Sequence, residues 1–257
     1  MRKNTWDPNI YLKNEGLMTR PAVDLAERIP AGNPARITDL GCGPGNSTGI
    51  LKQKWPDAII TGLDSSREMI SKAEKTDPDI RWTVCDIESW RPDQPQDIIF
   101  ANASLHWVHG HADIFPRLFN HLSDDGILAI QMPNNFNAYS HTNIDKTLKA
   151  LGLYEGISDK LLGDAVQNAE FYHNLMRPIA GHLDVWETEY MQVLTGDDPV
   201  YDWVKATTLL PVEANLSEEE FYSFSNDYRQ RLRQSYPVAD DGVTLFPFRR
   251  MFIVAGR

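Results

Sequence analysis

A glycine-rich segment and two later aspartates are the first candidates for chemistry in this sequence. Residues 39–46 read Asp-Leu-Gly-Cys-Gly-Pro-Gly-Asn, and Asp64 and Asp86 follow at nearly equal intervals. Glycines allow a tight turn and let the backbone approach a ligand closely. A carboxylate about 20 residues beyond such a turn can accept both hydroxyls of a ribose, and a further one can accept an adenine amino group. The pattern therefore indicates a nucleotide-type cofactor, although each aspartate alone could simply cap a turn.

Apolar strands alternate with helical stretches around these residues. Strands are predicted over residues 36–40, 58–63, 80–85, 97–101 and 126–132, with helices over 47–54 and after Ser66, a candidate N-cap. Continuous apolar strands separated by helices indicate a parallel sheet covered on both faces. In such sheets ligands bind at the carboxyl ends of the strands, where the glycine-rich segment, the two aspartates and Asn102 lie.

The second half of the chain is less regular. Helical stretches are predicted over 198–210 and from a capping box at Ser217–Glu220 to about Ser235. We predict an α/β fold, with a Rossmann-like, doubly wound, seven-stranded, mostly parallel sheet and helical lid insertions. The predicted organisation is a single domain over 1–257, with a cofactor-binding core at 36–133, helical lid segments at 134–182 and 197–243, and closing strands at 183–195 and 246–256.

Charge and composition exclude several classes of protein. Lys and Arg number 25 against 36 Asp and Glu, so the formal charge is −11. This balance opposes a nucleic acid or an anionic membrane as partner, because both are recognised through basic surfaces. A small anionic ligand remains compatible, since a few converging cations suffice to bind it.

Cysteine and histidine usage argues against disulfides and metal. Cys42 and Cys85 are too few for a disulfide framework and do not form a Cys-x-x-Cys pair. His106, His109 and His111 lie close together with Asp113, but a loop after a strand rarely supplies three convergent ligands, so we predict no metal site. Neither a secretory leader nor an apolar run of about 18 residues is visible, which predicts a cytoplasmic protein.

The glycine-rich segment also indicates which cofactor it suits. A dinucleotide fingerprint would carry its third glycine at position 46, where this chain has Asn46, and Pro44 removes a backbone N–H that a pyrophosphate would use. Residues 39–45 instead resemble the first motif of the seven-stranded methyltransferases that use S-adenosylmethionine. That cofactor has an ammonium group, and Asp39 is the natural acid to bind it, directly or through water. A methyltransferase is therefore favoured over a dehydrogenase.

Over nearly its whole length the chain resembles the trans-aconitate methyltransferases. The matching stretches are residues 6–8 with 11–12, 20–22, 39–48, 60–66, 100–105 with Trp107, 129–133, 184–186, 203–204, 236–237, and Arg250 with 252–255. The most specific of them are Gln131-Met132-Pro133 and the Arg250 segment. The sequence departs from the family pattern at His106, where the family has Gln, and matches it poorly over residues 140–180.

The resemblance implies transfer of a methyl group from S-adenosylmethionine to a carboxylate of trans-aconitate, giving a monomethyl ester and S-adenosylhomocysteine. A carboxylate with a pKa near 4 is already ionised at neutral pH, so no general base is required. Catalysis would then depend on alignment and on removal of water. The resemblance implies a small tricarboxylate as partner. From the charge balance we expect neither nucleic acid nor membrane as partner, and we expect a monomeric enzyme.

The candidate site residues fall into two groups. The candidates for contact with the substrate carboxylates are Arg20, Arg250, Trp107, His106 and Trp203. The candidates for cofactor binding are Tyr11, Arg20, Asp39, Gly41, Gly43, Asn46, Asp64, Ser65, Asp86, Ile87, Asn102 and Ser104. A guanidinium offers two parallel donors to one carboxylate. Each arginine could instead be a surface residue paired with an acid, and each tryptophan could simply pack.

Other functions remain open on the sequence alone. The acceptor could be another small carboxylic acid or a hydroxyl, and a hydroxyl would require a base such as His106. A chain that binds the cofactor without turning it over, as a sensor would, is an alternative of a different class.

Overall fold

The structure is a computed structural model that describes residues 15–158, 161 and 165–257. Its strands are β1 (Arg36–Leu40), β2 (Ile59–Asp64), β3 (Arg81–Val84), β4 (Gln96–Asn102), β5 (Leu122–Pro133), β6 (His182–Thr195) and β7 (Val243–Gly256). Its helices are α1 (Glu15–Glu27), α2 (Asn46–Lys54), α3 (Arg67–Thr76), α4 (His111–Asn120), α5 (Tyr139–Ala150), α6 (Ala169–Met176), α7 (Pro199–Lys205), α8 (Leu210–Asn215) and α9 (Glu218–Ser235). Short 3-10 turns lie at Leu105–Trp107 and Tyr154–Gly156.

The strands form a seven-stranded sheet in the order β3-β2-β1-β4-β5-β7-β6. β1 pairs in parallel with β2 and with β4, β2 with β3, and β4 with β5, whereas β7 runs antiparallel to β5. The predicted mostly parallel, doubly wound sheet is therefore confirmed. The chain adds β2 and β3 on one side of β1 and then β4 and β5 on the other, which makes the β1–β4 junction the topological switch point.

Burial of the central strands explains why they read as continuous apolar runs. In β4 the four consecutive residues 98–101 have no exposed surface, and in β1 residues 37–40 are all buried. A strand that packs on both faces buries odd and even positions alike. The sheet is consequently covered on both sides, as the sequence predicts.

Local signals locate several helices correctly and miss others. The Ser66 side chain accepts a hydrogen bond from Met69 N at the start of α3, which confirms the predicted N-cap. The sequence pattern does not predict α1 or α4. Both contain a proline, Pro21 and Pro116, which weakens the helical signal because the ring removes a backbone donor.

The single helix predicted over 198–210 is wrong, because two short helices occupy this region. α7 ends at Lys205, turns follow, and α8 begins at Leu210. Pro211 in the first turn of α8 explains the break, since proline is favoured at a helix start and cannot continue a preceding helix.

The chain divides into two compact units. Within the described residues, the sheet unit consists of Gly16–Pro133, 165–188 and Arg250–Arg257, and it contains β1 to β5, the first half of β6 and the second half of β7. The described part of the second unit consists of Glu15, residues 134–158 and 161, and Glu189–Arg249. None of the helices in the described part is long and apolar enough to cross a membrane.

The second unit is built around the packing of α5 on α9. Tyr228 donates to the carbonyl of Ser140, and the Ser140 N–H donates to the Tyr236 hydroxyl at 3.1 Å. At the start of α9 the Ser217 hydroxyl accepts from Glu220 N, and the Glu220 carboxylate accepts from Ser217 N. The predicted capping box is therefore confirmed.

Candidate active site

The carboxyl ends of β1 and β4 meet at the switch point and are joined there by a side chain. The Ser104 hydroxyl donates to the carbonyl of Leu40 at 2.7 Å, although the two residues lie far apart in the sequence. On the other side of β1, Gly41 N and Cys42 N both donate to the carbonyl of Leu63. The end of β1 is thus tied to both neighbouring strands, which holds the glycine-rich turn in place.

The glycines of that turn have separate roles. Gly41, Gly43 and Gly45 adopt positive φ values of 69°, 56° and 97°, which L-residues with side chains rarely adopt. A Cβ on Gly41 would lie 2.3 Å from the Cβ of Ser104, so Gly41 permits the close approach of the two strand ends. A Cβ on Gly43 would meet no atom within 4 Å. Gly43 therefore borders open space, as a residue that faces a ligand should.

Trp82 contacts the turn, although it is not among the residues predicted from the sequence. A Cβ on Gly45 would lie 2.8 Å from the Trp82 ring, and one on Gly62 would lie 2.3 Å from it. The indole N–H donates to the carbonyl of Asp77 at 2.8 Å, which fixes the ring. Trp82 therefore supports the turn at positions where only glycine fits. Its place inside the strand predicted over 80–85 is an ordinary packing position, so the sequence carries no signal for this role.

Asp39 is a fully buried carboxyl beneath the turn. Its Oδ2 accepts hydrogen bonds from the hydroxyls of Ser47 at 2.7 Å and Thr48 at 2.6 Å, both in the first turns of α2. Burial raises the pKa of Asp39 to about 6, and these two hydrogen bonds only partly oppose the shift. Its Oδ1 is buried without a hydrogen-bond partner among the described residues. A cation or a water molecule would satisfy that oxygen.

Asp64 is the last residue of β2, and Asp86 lies two residues beyond the end of β3, close to the predicted strand ends. Asp64 accepts from Gly43 N at 3.0 Å and from Ser66 N at 2.8 Å, so it links the glycine-rich turn to the start of α3. Asp86 is exposed and accepts from Glu88 N at 2.8 Å. Both carboxylates thus cap a following turn, which was the alternative role. An ionised carboxylate has about four acceptor positions, so each retains capacity for ligand hydroxyl or amino groups.

The residues that follow these two aspartates differ in burial. Ser65 is exposed next to Asp64, whereas Ile87 is buried. The Cδ1 of Ile87 lies 3.6 Å from the position that a Gly41 Cβ would take, so Ile87 forms an apolar surface beside the turn.

Two asparagines near the turn also have buried polar atoms whose hydrogen-bonding capacity is unsatisfied. The Nδ2 of Asn46 and the Oδ1 of Asn102 are buried without a hydrogen-bond partner among the described residues. Between Asn102 and Ser104, Ala103 has a φ of 49°, unusual for a residue other than glycine. Its N–H donates to the carbonyl of Gln131 at 2.9 Å, which stabilises this conformation. Such strain is often found where a chain positions side chains for a ligand.

Arg250 is buried in the sheet unit. It is only 3% exposed, and its Nη1 donates to Oε1 of Gln131 at 3.4 Å. Its neighbour Arg249 is exposed and lies 3.6 Å from the carboxylate of Glu189. This contrast follows from the alternation of side chains along a strand. The alternative that Arg250 is a solvated surface arginine is excluded.

The other substrate-contact candidates of the sheet unit are more exposed. The Arg20 side chain is 66% exposed, and its Nε lies 3.9 Å from Asp24 one turn along α1. Trp107 is 43% exposed, and its ring centroid lies 5.0 Å from that of His106. Arg20 is therefore an exposed arginine near an acid, which is the alternative to a role in substrate binding. His106 and Trp107 form an aromatic pair beyond the end of β4.

Two candidates lie outside the described part of the sheet unit. Trp203 belongs to the second unit, where it is 5% exposed and packs against Phe246 and Phe248 with ring centroids 6.1 and 5.7 Å away. Its observed contacts are those of a core residue. Tyr11 lies outside the described residues.

A buried histidine supports the turn that carries His106 and Trp107. His111 Nε2 contacts the carbonyl of Leu105 at 3.0 Å, and its Nδ1 contacts the Tyr172 hydroxyl at 2.7 Å. Since a carbonyl only accepts, Nε2 carries the proton in the neutral ring and the hydroxyl donates to Nδ1. Burial lowers the pKa of His111, which favours this neutral form. Among the described residues no group of three or more His, Cys, Asp or Glu side chains could hold a metal ion.

The fold and the turn at its switch point define a class of enzyme. Residues 37–126 match the family described as a methyltransferase domain. The plantazolicin methyltransferase BpumL, solved in complex with SAH, shares the fold with a TM-score of 0.52 and 18% identity, over 97% of this chain and 90% of that chain. The chain thus has the Rossmann-like fold of the class I methyltransferases.

Sequence comparison with named relatives shows to which family of methyltransferases the chain belongs. The trans-aconitate 2-methyltransferase of Streptomyces avermitilis is 41% identical over 98% of this chain and 96% of its own length. The enzyme of the same name from Shigella dysenteriae is 38% identical over 98% of both chains. The chain therefore belongs to the trans-aconitate 2-methyltransferase family, which confirms the resemblance stated from its motifs.

Proposed function

We propose that this chain transfers a methyl group from S-adenosylmethionine to a carboxylate of trans-aconitate and releases the monomethyl ester and S-adenosylhomocysteine. The names of the relatives support the substrate. The single structural observation that supports it best is the set of unmet polar atoms at the carboxyl edge of the sheet. These buried atoms are Asp39 Oδ1, Asn46 Nδ2, Asn102 Oδ1 and Gln131 Nε2. Buried polar atoms are normally hydrogen-bonded, so four unsatisfied ones on residues at or just beyond the carboxyl-terminal parts of β1, β4 and β5 are consistent with a polar ligand.

The donor and acceptor set suits this cofactor. Asp39 supplies a buried carboxylate for an ammonium group, and the open side of Gly43 leaves room for backbone contact. Asp64 and Asp86 are assigned to the ribose hydroxyls and the adenine amino group. The assigned cofactor-binding residues are Asp39, Gly41, Gly43, Asn46, Asp64, Ser65, Asp86, Ile87, Asn102 and Ser104. When bound, S-adenosylmethionine supplies an electrophilic methyl group on a sulfonium centre.

The protein then has to bind, align and dehydrate the acceptor rather than activate it. A carboxylate is ionised at neutral pH, so the protein does not need to remove a proton. The attacking oxygen must approach the methyl group in line, and a fixed geometry can supply several kcal/mol of the barrier reduction. A full hydrogen-bond set on the attacking carboxylate would weaken it as a nucleophile. The cationic contacts should therefore hold the carboxylates that do not react.

Arg250 is the residue we assign to such a carboxylate. Its burial means that the guanidinium is largely desolvated, which strengthens its pairing with an anion. Arg20, with its exposed side chain, is assigned a weaker contribution at the surface. His106 and Trp107 are assigned to the wall of the substrate-binding site, where His106 offers a polar contact and Trp107 an apolar one.

A methyl-transfer assay on four acids tests the proposed function. Turnover is measured with trans-aconitate, cis-aconitate, citrate and isocitrate, by the release of S-adenosylhomocysteine and detection of the ester. We expect clear preference for trans-aconitate. Equal turnover of all four acids, or none with any, would contradict the substrate assignment while leaving the fold untouched.

The assignment of Arg250 has its own test with a matched control. Arg250→Ala should raise the KM for trans-aconitate about 10- to 150-fold, the equivalent of about 1.5–3 kcal/mol for a charged hydrogen bond, with little change in S-adenosylhomocysteine affinity. Arg249→Ala, which removes the exposed neighbour, should change KM less than about twofold. If cofactor affinity is lost in Arg250→Ala, or if both variants behave alike, the site assignment is wrong.

We also propose that the enzyme acts as a monomer in the cytoplasm. Both cysteines are free, and Cys42 is buried, which is consistent with a reducing compartment. Cell fractionation tests the location. Size-exclusion chromatography with light scattering tests the oligomeric state, for which a mass near 29.2 kDa is expected.

A further inference from the structure

The side-chain amide of Gln131 is buried, and its oxygen and nitrogen differ in whether they have a hydrogen-bond partner. The residue has no exposed surface, and its Oε1 accepts from Arg250 Nη1. A guanidinium can only donate, so the atom that faces Arg250 must be the oxygen. The orientation of the amide is therefore determined by chemistry. Its Nε2 points elsewhere and is buried without a hydrogen-bond partner among the described residues.

The position of this amide places it in the candidate active site. Gln131 is near the carboxyl end of β5 and is the register partner of Asn102, the last residue of β4. On its other side, β7 places Arg250 opposite Pro133, two residues further along β5. Both Gln131 Nε2 and Asn102 Oδ1 have unmet hydrogen-bonding capacity. Two neighbouring strands thus present unsatisfied polar atoms beside a buried cation.

We propose that Gln131 Nε2 donates a hydrogen bond to a non-reacting carboxylate of the substrate, which Arg250 binds at the same time. This inference rests on the proposed function and assigns a specificity-determining residue to it. A buried amide donor left unmet is costly, whereas a carboxylate has lone pairs for both the amide and the guanidinium. The pair selects acids that carry a second carboxylate in addition to the one that is methylated.

A purely structural role would make a different prediction. In that case Gln131 only holds Arg250 in position through Oε1. Two variants separate the roles. Gln131→Glu keeps an oxygen acceptor for Arg250 but loses both amide N–H donors and adds a negative charge. Gln131→Met has a similar length and loses both the acceptor and the donors.

The KM for trans-aconitate is measured for both variants, with kcat and S-adenosylhomocysteine affinity beside it. We expect KM to rise about 10-fold or more in Gln131→Met and about 100-fold or more in Gln131→Glu, because the new charge repels the anion. We expect kcat to change only a few-fold and cofactor affinity less than about twofold. If Gln131→Met raises the KM no further in an Arg250→Ala background, Gln131 acts only through Arg250 as a positioning residue, and the proposal is overturned.

A matched control accounts for the burial of a new carboxyl in the sheet. Gln96 is a buried amide of β4 whose Oε1 accepts from the Thr38 hydroxyl and whose Nε2 donates to the carbonyl of Gln94. Gln96 is the first residue of β4, so it lies at the amino end of its strand, whereas Gln131 lies near the carboxyl end of β5. Gln96→Glu should lower the melting temperature and leave KM unchanged within about twofold. A rise in KM equal to that of Gln131→Glu would overturn the proposal.

Binding to the wild-type protein separates this inference from the proposed function and needs no variant. Calorimetry on the complex with S-adenosylhomocysteine compares trans-aconitate with dicarboxylates that each lack one of its carboxylates. At least one missing carboxylate should weaken binding about 100-fold. Equal affinity for the tricarboxylate and the dicarboxylates overturns the joint binding of one carboxylate by Gln131 and Arg250, even if wild-type turnover supports methyl transfer to trans-aconitate. Strong discrimination without turnover supports this joint binding and overturns the proposed methyl transfer.

Discussion

The titration of Asp39 provides a direct test of the site's electrostatics. Asp39 is fully buried, with two hydroxyl donors on Oδ2 and an unmet Oδ1. The perturbation is a change of pH, with Asp39→Asn as a reference that cannot titrate at this position. The difference in free energy of unfolding between wild type and variant then isolates the contribution of this one carboxyl.

The size and sign of the effect follow from the pKa shift. Burial raises the pKa of Asp39 from 3.8 to about 6. At about 1.4 kcal/mol per pH unit, this corresponds to about 3 kcal/mol. Because the folded pKa is the higher one, the folded state holds the proton more tightly than the unfolded state does. The stabilising contribution is complete below pH 3.8 and is lost as the pH rises through about 6.

Urea unfolding of both proteins without cofactor measures this difference between about pH 4 and about pH 7.5. We expect wild type to lose about 2.4 kcal/mol of the full effect relative to Asp39→Asn over that range, with most of the change below about pH 6. A difference that stays flat within about 0.5 kcal/mol would refute the reasoning that Asp39 is buried and uncompensated without a ligand.

Cofactor binding should show the opposite dependence on pH. An ammonium group beside Asp39 favours the ionised carboxylate, so the affinity of wild type for S-adenosylhomocysteine should fall as the pH drops below about 6. The fall should approach tenfold per pH unit. Asp39→Asn should bind more weakly at neutral pH and lack this dependence. Calorimetric titration measures both, and the same pH profile in both proteins would contradict the role of Asp39.

Two further predictions concern the supports of the site. Gly62→Ala places a Cβ 2.3 Å from the Trp82 ring, so it should lower the free energy of unfolding by about 1–3 kcal/mol and weaken S-adenosylhomocysteine binding; unchanged stability in urea unfolding would contradict the close packing. His111→Phe keeps an aromatic ring but removes the hydrogen bonds to Leu105 and Tyr172, so it should lower the free energy of unfolding by about 2 kcal/mol and raise the KM for trans-aconitate; unfolding and steady-state kinetics check both effects, and unchanged values would exclude the supporting role.

Local signals predict much of the fold from the sequence. The five strands of the first half are found within a few residues of their predicted bounds, because continuous apolar runs identify strands buried on both faces. The caps at Ser66 and Ser217 are found because each depends on residues three positions apart. The contrast between Arg249 and Arg250 follows from strand alternation alone.

Other features depend on long-range contacts that a single sequence does not reveal. The insertion of β7 between β5 and β6 brings Arg250 to Gln131, and no local pattern predicts that pairing. The contact of Trp82 with the glycine-rich turn depends on the packing of neighbouring strands. The hydrogen bond between His111 and Tyr172 joins two helices that are distant in the chain. Unmet polar atoms such as Gln131 Nε2 become visible only when all neighbours are known.

The strand order has a consequence for how this protein is made in a cell. β7 follows β6 in the sequence but lies between β5 and β6 in the sheet. During translation, β5 therefore keeps an open edge until residues 250–256 have emerged from the ribosome. An unpaired apolar strand edge is prone to aggregate, and pairing across such a long stretch of chain is slow. The nascent polypeptide should accordingly benefit from chaperones and from slow synthesis. Ribosome-bound intermediates should lack the contact between Arg250 and Gln131 until β7 pairs with β5.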